Sequence, residues 1–314
     1  MLLIDDLEQA TLKQDTVITI GAFDGVHRGH QHLIHGLVAR ARETGRLAGL
    51  VTFHPHPTAV LRPSVPLRYL TTPGEKAALL ERLSLDLVAI LRFDQKMAQR
   101  PAEDFARMLV DRLRMRELWV GQDFALGRGR EGDAATLAEI GKSLGFAVRA
   151  VEPFVLDGEA VSSTRIRSLL SRGMVREATR LLGRYPSLAG EVVSGARRGH
   201  LLGFPTANLE VREERALPGD GVYAVFAQLG TERYFGVANI GVRPSFDNGA
   251  RTVETFVLDF AQDIYGCDLV VEFVERLRSE RRFENTDDLI AQIQKDVEQA
   301  RRILGEESQR ETIQ

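Results

Sequence analysis

Short, continuously apolar runs alternate with helical patterns through the first half of this chain. The apolar runs fall at 16–21 (TVITIG), 47–53, 85–93, 117–120 and 146–151, and the helical periods at about 28–43, 74–83, 102–114 and 134–144. Strands that are apolar on both faces need cover on both faces, and interleaved helices supply it; the pattern predicts an α/β layer with a parallel sheet. Thr72 before Pro73, and Pro101 before the next period, are start signals for two of the helices. An open sheet of this kind takes ligands beyond the carboxyl ends of its strands. The loops after Gly21, Phe53 and Gly121 are therefore the places to look.

Near residue 185 the pattern changes. Alternating runs at 188–194, 221–229, 233–240, 252–260 and 268–277 are separated by Gly, Pro, Asn and Asp, as in an antiparallel barrel or sandwich. Leu289, Ile293, Val297 and Ala300 place a last amphipathic helix at about 286–304, packed on that second domain, with a polar, frayed tail after Gly305. Between the halves, 163–183 reads as two short helices ended by Gly183. At 314 residues the chain has room for both domains. Its single cysteine, Cys267, rules out an internal disulfide and suits a reducing compartment. The first residues lack the basic start and apolar core of a secretory signal, and no apolar run nears the roughly 18 residues of a membrane span. A net charge of -3 argues against a general nucleic-acid surface. The expectation is a cytoplasmic protein acting on small molecules, with no membrane, nucleic-acid or obligatory protein partner.

The segment GAFDGVHRGHQHLI (21–34) leaves the first strand and opens the first helix. Gly21 and Gly25 allow close backbone approach, and the helix start offers unpaired N–H groups to an anion. His27 and His30 stand three apart there and can aim imidazoles at the same phosphates, which suits nucleotidyl transfer. Six of the seven histidines lie between 27 and 56, so a zinc cluster is a competing reading, but cysteine and carboxylate ligands at set spacings are missing. His54, Pro55, His56 and Pro57 form a stiffened loop directly after a strand. The Gly- and Arg-rich stretch 121–133 is either a mobile surface loop or a wall of the site. In VSSTRIRSLL, Ser162, Ser163 and Thr164 are candidate caps, followed by Arg165 and Arg167. Arginines oppose a helix N-terminus unless a phosphate shares it.

In the second half, GEVVSGARRGHLLGFPTANLEV (190–211) sets glycines, Gly203 among them, around Arg197 and Arg198, like a phosphate flap. Thr206 and Asn208 point the same way in an extended segment and offer hard oxygens suited to Mg2+ with ATP, although PTAN alone is also a turn. On TVETFVLDF (252–260), alternation aligns Glu254 with Phe256, Leu258 and Phe260. A carboxylate on an apolar stripe is costly unless employed, and a primary alcohol needs a positioned base for phosphorylation. Glu254 is the candidate; the alternative is a strand-end residue facing solvent.

GAFDGVHRGH, TFHPHP, VGQDFALGRGREGD and VSSTRIR together resemble the bacterial FAD synthetase domain of the HxGH nucleotidylyltransferase superfamily, over essentially all of 1–183. The resemblance implies a Rossmann-like domain in which His27 and His30 handle ATP phosphates and Ser163, Thr164 and Arg167 close on them, beside Arg165. It also implies ATP contacts at Gly21, Phe23, Asp24 and Gly25, and flavin contacts at His54, Pro55, His56, Pro57, Asp123 and Phe124. The second half, with NIGVRPSF, DIYG and VEFVERLRSERRF, is similar to the riboflavin kinase domain, a small antiparallel Greek-key barrel, here 186–304. That likeness implies Mg2+ on Thr206 and Asn208, ATP near Gly203, and Glu254 as the catalytic carboxylate. Phe256 stands where the kinase family usually has histidine, Ser245 where threonine is commoner, and His200 where arginine is frequent. The chain is thus expected to phosphorylate riboflavin to FMN and adenylylate FMN to FAD with ATP. Two alternatives stay open: a nucleotidylyltransferase for another substrate with the barrel as a flavin sensor, and a flavin-storage module.

Overall fold

The computed structural model describes residues 1–194, 204–211, 214–242 and 251–313. It comprises two compact units, Met1–Ser163 and Thr164–Gln314. Residues 164–183, which the sequence pattern attaches to the first domain, group with the second unit.

The first unit runs β1 (Leu2–Ile4), β2 (Thr16–Ile20), α1 (Arg28–Glu43), β3 (Leu47–His54), α2 (Pro57–Leu61), α3 (Pro73–Glu81), β4 (Leu87–Arg92), α4 (Gln95–Ala98), α5 (Ala102–Leu113), β5 (Met115–Gly121), β6 (Ala125–Leu126), β7 (Gly132–Asp133), α6 (Ala134–Leu144), β8 (Ala147–Val151), β9 (Val155–Leu156) and β10 (Glu159–Ala160). Six strands form a wholly parallel sheet in the order β1-β4-β3-β2-β5-β8. All of β2 is buried, and its neighbours alternate between two cores. Val17 joins Ile34, Leu37 and Trp119 on one face, while Ile18 and Ile20 join Phe105, Leu109 and Leu137 on the other. This double burial is why the strands read as unbroken apolar runs. After β2 the chain adds β3 and β4 on one side, then returns to place β5 on the other. The strand order reverses at β2, and its carboxyl end is the crevice where such sheets bind ligands.

Local chemistry fixes the helix starts. Thr72 and Glu75 form a reciprocal capping box at α3. Pro101 gives α5 no side-chain cap; instead the Glu131 carboxylate accepts from the Ala102 N–H at 2.9 Å. Glu131 lies in the Gly/Arg-rich stretch, which folds into the β6–β7 hairpin. Gly127, at φ +80°, sits where a Cβ would come within 2.7 Å of the Ala102 nitrogen. This stretch is therefore seated against the start of α5, and the mobile-loop alternative gives way to an anchored hairpin. Strand β1 is absent from the sequence reading because Leu2 and Leu3 are exposed on a three-residue edge strand, with no buried face to betray it.

The second unit follows α7 (Ser163–Ser171) and α8 (Val175–Leu182) with β11 (Ser187–Val193), β12 (Ala207–Leu209), β13 (Gly221–Leu229), β14 (Glu232–Val242), β15 (Arg251–Val257), β16 (Asp268–Arg278) and α9 (Thr286–Ile313). The six strands close into an antiparallel barrel, β11-β12-β15-β14-β13-β16, completed by β11 pairing with β16. Closure settles the barrel-or-sandwich choice. Tyr223 and Phe273 meet edge to face at 5.6 Å in one core. Val222, Ala224, Phe226 and Val274 pack against Ala300, Ile303 and Leu304 of α9 in another. The tail after Gly305 is not frayed: α9 continues to Ile313. Tyr185 donates to Glu307 at 3.2 Å and Arg233 pairs with Glu311, so polar anchors hold a helix end that has no apolar stripe. Strand β15 ends at Val257, short of Leu258 and Phe260; the positive φ of Asp259 turns the chain there.

The Glu131–Ala102 bond makes a stability prediction. Glu131→Ala should cost about 1 kcal/mol, as losing a helix cap does, and lower the first unit's melting temperature by about 2–4 °C in a calorimetric scan. An unchanged transition would show the bond contributes nothing.

Candidate active sites

The first site grows from the end of β2. Phe23 (φ 47°), Gly25 (φ 82°) and Val26 (φ 39°) all adopt left-handed backbone within four residues. For the β-branched Val26 this conformation is strained, and it persists only if its surroundings impose it. They do. The Asp24 carboxylate, 2% exposed, accepts from the Leu70 N–H at 3.0 Å and the Thr71 N–H at 3.1 Å. The Gly25 N–H donates to the Thr71 hydroxyl at 3.1 Å, and Ser163 donates to the Asp24 carbonyl at 2.8 Å. The Ala22 carbonyl accepts from Thr52 at 3.0 Å and from Lys76 at 2.7 Å. Phe23 packs in the core with Val17 and Ile34. The Asp24 and Phe23 side chains thus build the loop, which leaves the backbone as what this stretch presents to a ligand.

His27 caps α1: its Nδ1 accepts from the His30 N–H at 3.3 Å. That bond occupies the Nδ1 lone pair, so neutral His27 carries its proton on Nε2. The two imidazoles stack with centroids 3.5 Å apart and planes 17° from parallel. Gly29 makes room for them; a Cβ there would meet the His27 ring and the Val161 carbonyl at 3.2 Å. Burial, then the nearby His27 and Lys76, holds the His30 pKa well below the usual range, so His30 is neutral near pH 7. Its Nδ1 is enclosed and finds no hydrogen-bond partner among the described residues.

Lys76 of α3 escaped the sequence reading. It is 7% exposed, and its ammonium also donates to Thr52 at 3.2 Å. Burial lowers its pKa from 10.5 to about 8, a shift partly offset by the Asp24 charge. The folded protein therefore binds this proton less tightly than the unfolded chain, and stability rises as pH climbs from 8 toward 10.5. Below that window the buried charge costs on the order of 3 kcal/mol. Only burial of the whole α3 face, which sequence does not display, would have singled this lysine out from a solvated one.

The flanking loops are partly self-satisfied. His56 caps α2, its Nδ1 accepting from the Thr58 N–H at 3.1 Å, and its own N–H donates to Tyr69 at 3.0 Å. The His54–Pro55 bond is cis, and Pro57 opens α2. Phe124 packs on the core beside Leu126, while the carbonyl of exposed Asp123 accepts from Arg130 at 2.9 Å. Thr164, Arg165 and Arg167 stand on the first turns of α7. Among the described residues no group of three or more His, Cys, Asp or Glu is arranged to hold a metal ion.

The second site lies across three barrel strands. Glu254 on β15 is paired with Asn208 on β12 and with Asn239 on β14. Cross-strand partners share a face, so Asn208, Glu254 and Asn239 form one polar line across the barrel wall. Val253, Thr255 and Val257 are buried while Glu254 and Phe256 are half-buried, which puts this line on the outer face. Asn239 also donates to Glu280 at 3.3 Å. Neither residue was singled out by sequence; the pairing register was the missing information. Phe256 meets Phe204 edge to face at 5.5 Å, forming an apolar wall next to the line. Thr206 directly precedes β12, two positions before Asn208. Gly203, His200 and Ser245, with the flap around Arg197 and Arg198, lie outside the described residues.

Comparison with known proteins bears on both units. A family model described as FAD synthetase matches residues 9–165, and one described as riboflavin kinase matches 182–304. The bifunctional riboflavin kinase/FMN adenylyltransferase of Escherichia coli strain K12 is 38% identical over 304 residues, 96% of each chain. The protein of the same name from Bacillus subtilis strain 168 is 34% identical, covering 92% of this chain and 93% of its own. A crystal structure described as a macrolide-efflux protein from Streptococcus pneumoniae superposes with a TM-score of 0.88 at 30% identity, over 96% of this chain and 98% of that one. Among the described residues no helix is long and apolar enough to cross a membrane. With both family models matched in order and relatives aligned over nearly the whole length, the chain belongs to the bifunctional riboflavin kinase/FMN adenylyltransferase family.

Proposed function

We propose that the chain converts riboflavin to FMN and then FMN to FAD, each step using one ATP, with the kinase on the barrel and the adenylyltransferase at the end of β2. The observation that carries this reading is that the stacked His27–His30 pair at the end of β2 and the Asn208–Glu254–Asn239 line on the barrel fall each under its own family match. We place the functional boundary near 184, between the sequence-defined segments 1–183 and 186–304, and the reactions in the cytoplasm.

In the kinase step Glu254 takes the proton of the ribityl 5′-hydroxyl as its oxygen attacks the γ-phosphorus of ATP; the bond to ADP breaks. The outer-face line supports this role, since Asn208 and Asn239 flank the carboxylate and leave it half-buried but approachable. Thr206 and Asn208 would hold Mg2+ through a hydroxyl and an amide oxygen, hard donors that fit it. Bound there with ATP, the ion would draw negative charge off the phosphates. Phe204 and Phe256 offer an apolar surface for a flavin ring.

In the second step a phosphate oxygen of FMN attacks the α-phosphorus of ATP and pyrophosphate leaves. The nucleophile is already anionic, so no protein base is required, and the task is placement and charge stabilisation. His27, whose Nδ1 accepts from the His30 N–H, has Nε2 as the donor for phosphate oxygens, with His30 stacked against it. The rigid loop presents Gly21 and Gly25 backbone to the triphosphate, with Ser163 fastened to it through the Asp24 carbonyl. His54–Pro57 and the hairpin with Asp123 and Phe124 border the flavin.

Two substitutions test the two sites separately. Glu254→Gln should lower FMN formation by about 10²–10⁴, the usual worth of a general base, while FAD formation from supplied FMN stays near wild type. Product chromatography distinguishes this from a flavin-sensing barrel, for which wild type itself would make no FMN. His30→Ala should lower FAD formation from FMN by about 10²–10³ and spare the kinase rate. Loss of both activities in either variant would contradict independent sites.

A further inference from the structure

A cation buried without an ion pair needs an explanation, and Lys76 is one. The residue is 7% exposed, and its ammonium donates to a carbonyl and a hydroxyl, Ala22 at 2.7 Å and Thr52 at 3.2 Å. Among the described residues no carboxylate lies within ion-pair distance of its Nζ. The Asp24 carboxylate in the same cluster is committed to the Leu70 and Thr71 amides. Lysine is rarely retained in such a place for stability, because an apolar side chain of similar size would bury there more favourably. Nor is the Ala22 carbonyl dependent on it, since Thr52 donates to the same oxygen at 3.0 Å. What surrounds the ammonium is the machinery of the first site. The strained loop 21–27 lies at its Ala22 contact, the end of β3 supplies Thr52, and the titratable neighbours are Asp24 on the loop and His30 on α1, with His27 stacked on His30.

We propose that Lys76 is a positioning residue for FMN adenylylation: its buried ammonium, held by Ala22 and Thr52, provides a fixed positive charge behind the phosphate loop and sets the loop and His30 for the triphosphate of ATP. This rests on the adenylyltransferase reading of that site. The charge sits on the protein side of the loop, so it acts through the loop and the imidazole and needs no contact with substrate. A fixed cation of this kind favours the charge that accumulates on the departing pyrophosphate, and so it affects turnover more than ATP binding. The same charge disfavours a second proton on the stacked His27–His30 pair.

The test uses the full chain as wild type, Lys76→Met and Lys76→Arg. FAD formation from FMN is measured at about pH 6.5 to 9.5, a range that spans the lysine's titration, with riboflavin phosphorylation as internal control. Lys76→Met should lower the adenylylation kcat by about 10–100-fold, leave KM for ATP within a few-fold and leave the kinase rate unchanged. Its melting temperature should stay level or rise, as expected when an unfavourable buried charge is removed. Wild type should lose adenylylation rate as pH passes about 8, and Lys76→Arg, which keeps its charge, should hold its own rate across that range. Two results overturn the proposal: wild-type kcat and pH profile in Lys76→Met, or a lowered melting temperature in Lys76→Met together with an unshifted alkaline limb in Lys76→Arg, which marks a purely structural lysine. A wild type that makes FMN but no FAD at any pH is a different result and removes the adenylyltransferase reading itself.

Discussion

The carboxylate of Asp24 is the pin on which the first site turns. A nearly sealed carboxylate is expensive to desolvate, and two backbone N–H groups with a hydroxyl offset that cost by satisfying its oxygens. Those amides belong to Leu70 and Thr71, immediately before the capping box of α3. One side chain therefore ties the strained loop to the helix that carries Lys76, and the left-handed conformations of Phe23 and Val26 become tolerable because they are over-determined. Pre-shaping of this kind matters for a reaction that depends on placement rather than on proton removal.

The second site uses a different device. Strand register, set across three strands by ordinary ladder bonds, brings together Asn208, Glu254 and Asn239 from positions far apart in the chain. The carboxylate then sits on the barrel's outer wall while its neighbours Val253 and Thr255 fill the interior. The two units hold their polar groups in place by different means, one with a rigid loop and stacked imidazoles and the other with a ladder.

Legibility from sequence followed burial. The doubly covered strands β2, β3 and β5 announced themselves, and α6 lies where the helical period at about 134–144 puts it, held there by the Asp133 cap and the Gly145 stop. His27, His30 and Glu254 stood out in the sequence because their chemistry is unusual for their places, and the structure stacks the first two and sets the third in a polar line. What escaped depends on tertiary facts. Strand β1 has no buried face, α9 is extended by ion pairs rather than by apolar spacing, and Glu131 caps a helix it is not part of. Lys76 lies on a helix whose sequence looks ordinary, and Asn239 gains meaning only from its partner across the ladder. The supposed apolar stripe through Leu258 and Phe260 failed for a local reason, the turn at Asp259.

The ladder also constrains how this protein could be altered. Side chains in a strand alternate strictly, so losing or gaining one residue within β15 would turn Glu254 into the packed interior and bring Thr255 or Val253 out in its place. Point substitutions on that strand can be graded, but a length change cannot: it exchanges the polar line for core in a single step. Insertions and deletions should accordingly be confined to the connections between strands, and chimaeras between relatives should be joined there, leaving β12, β14 and β15 to be inherited together.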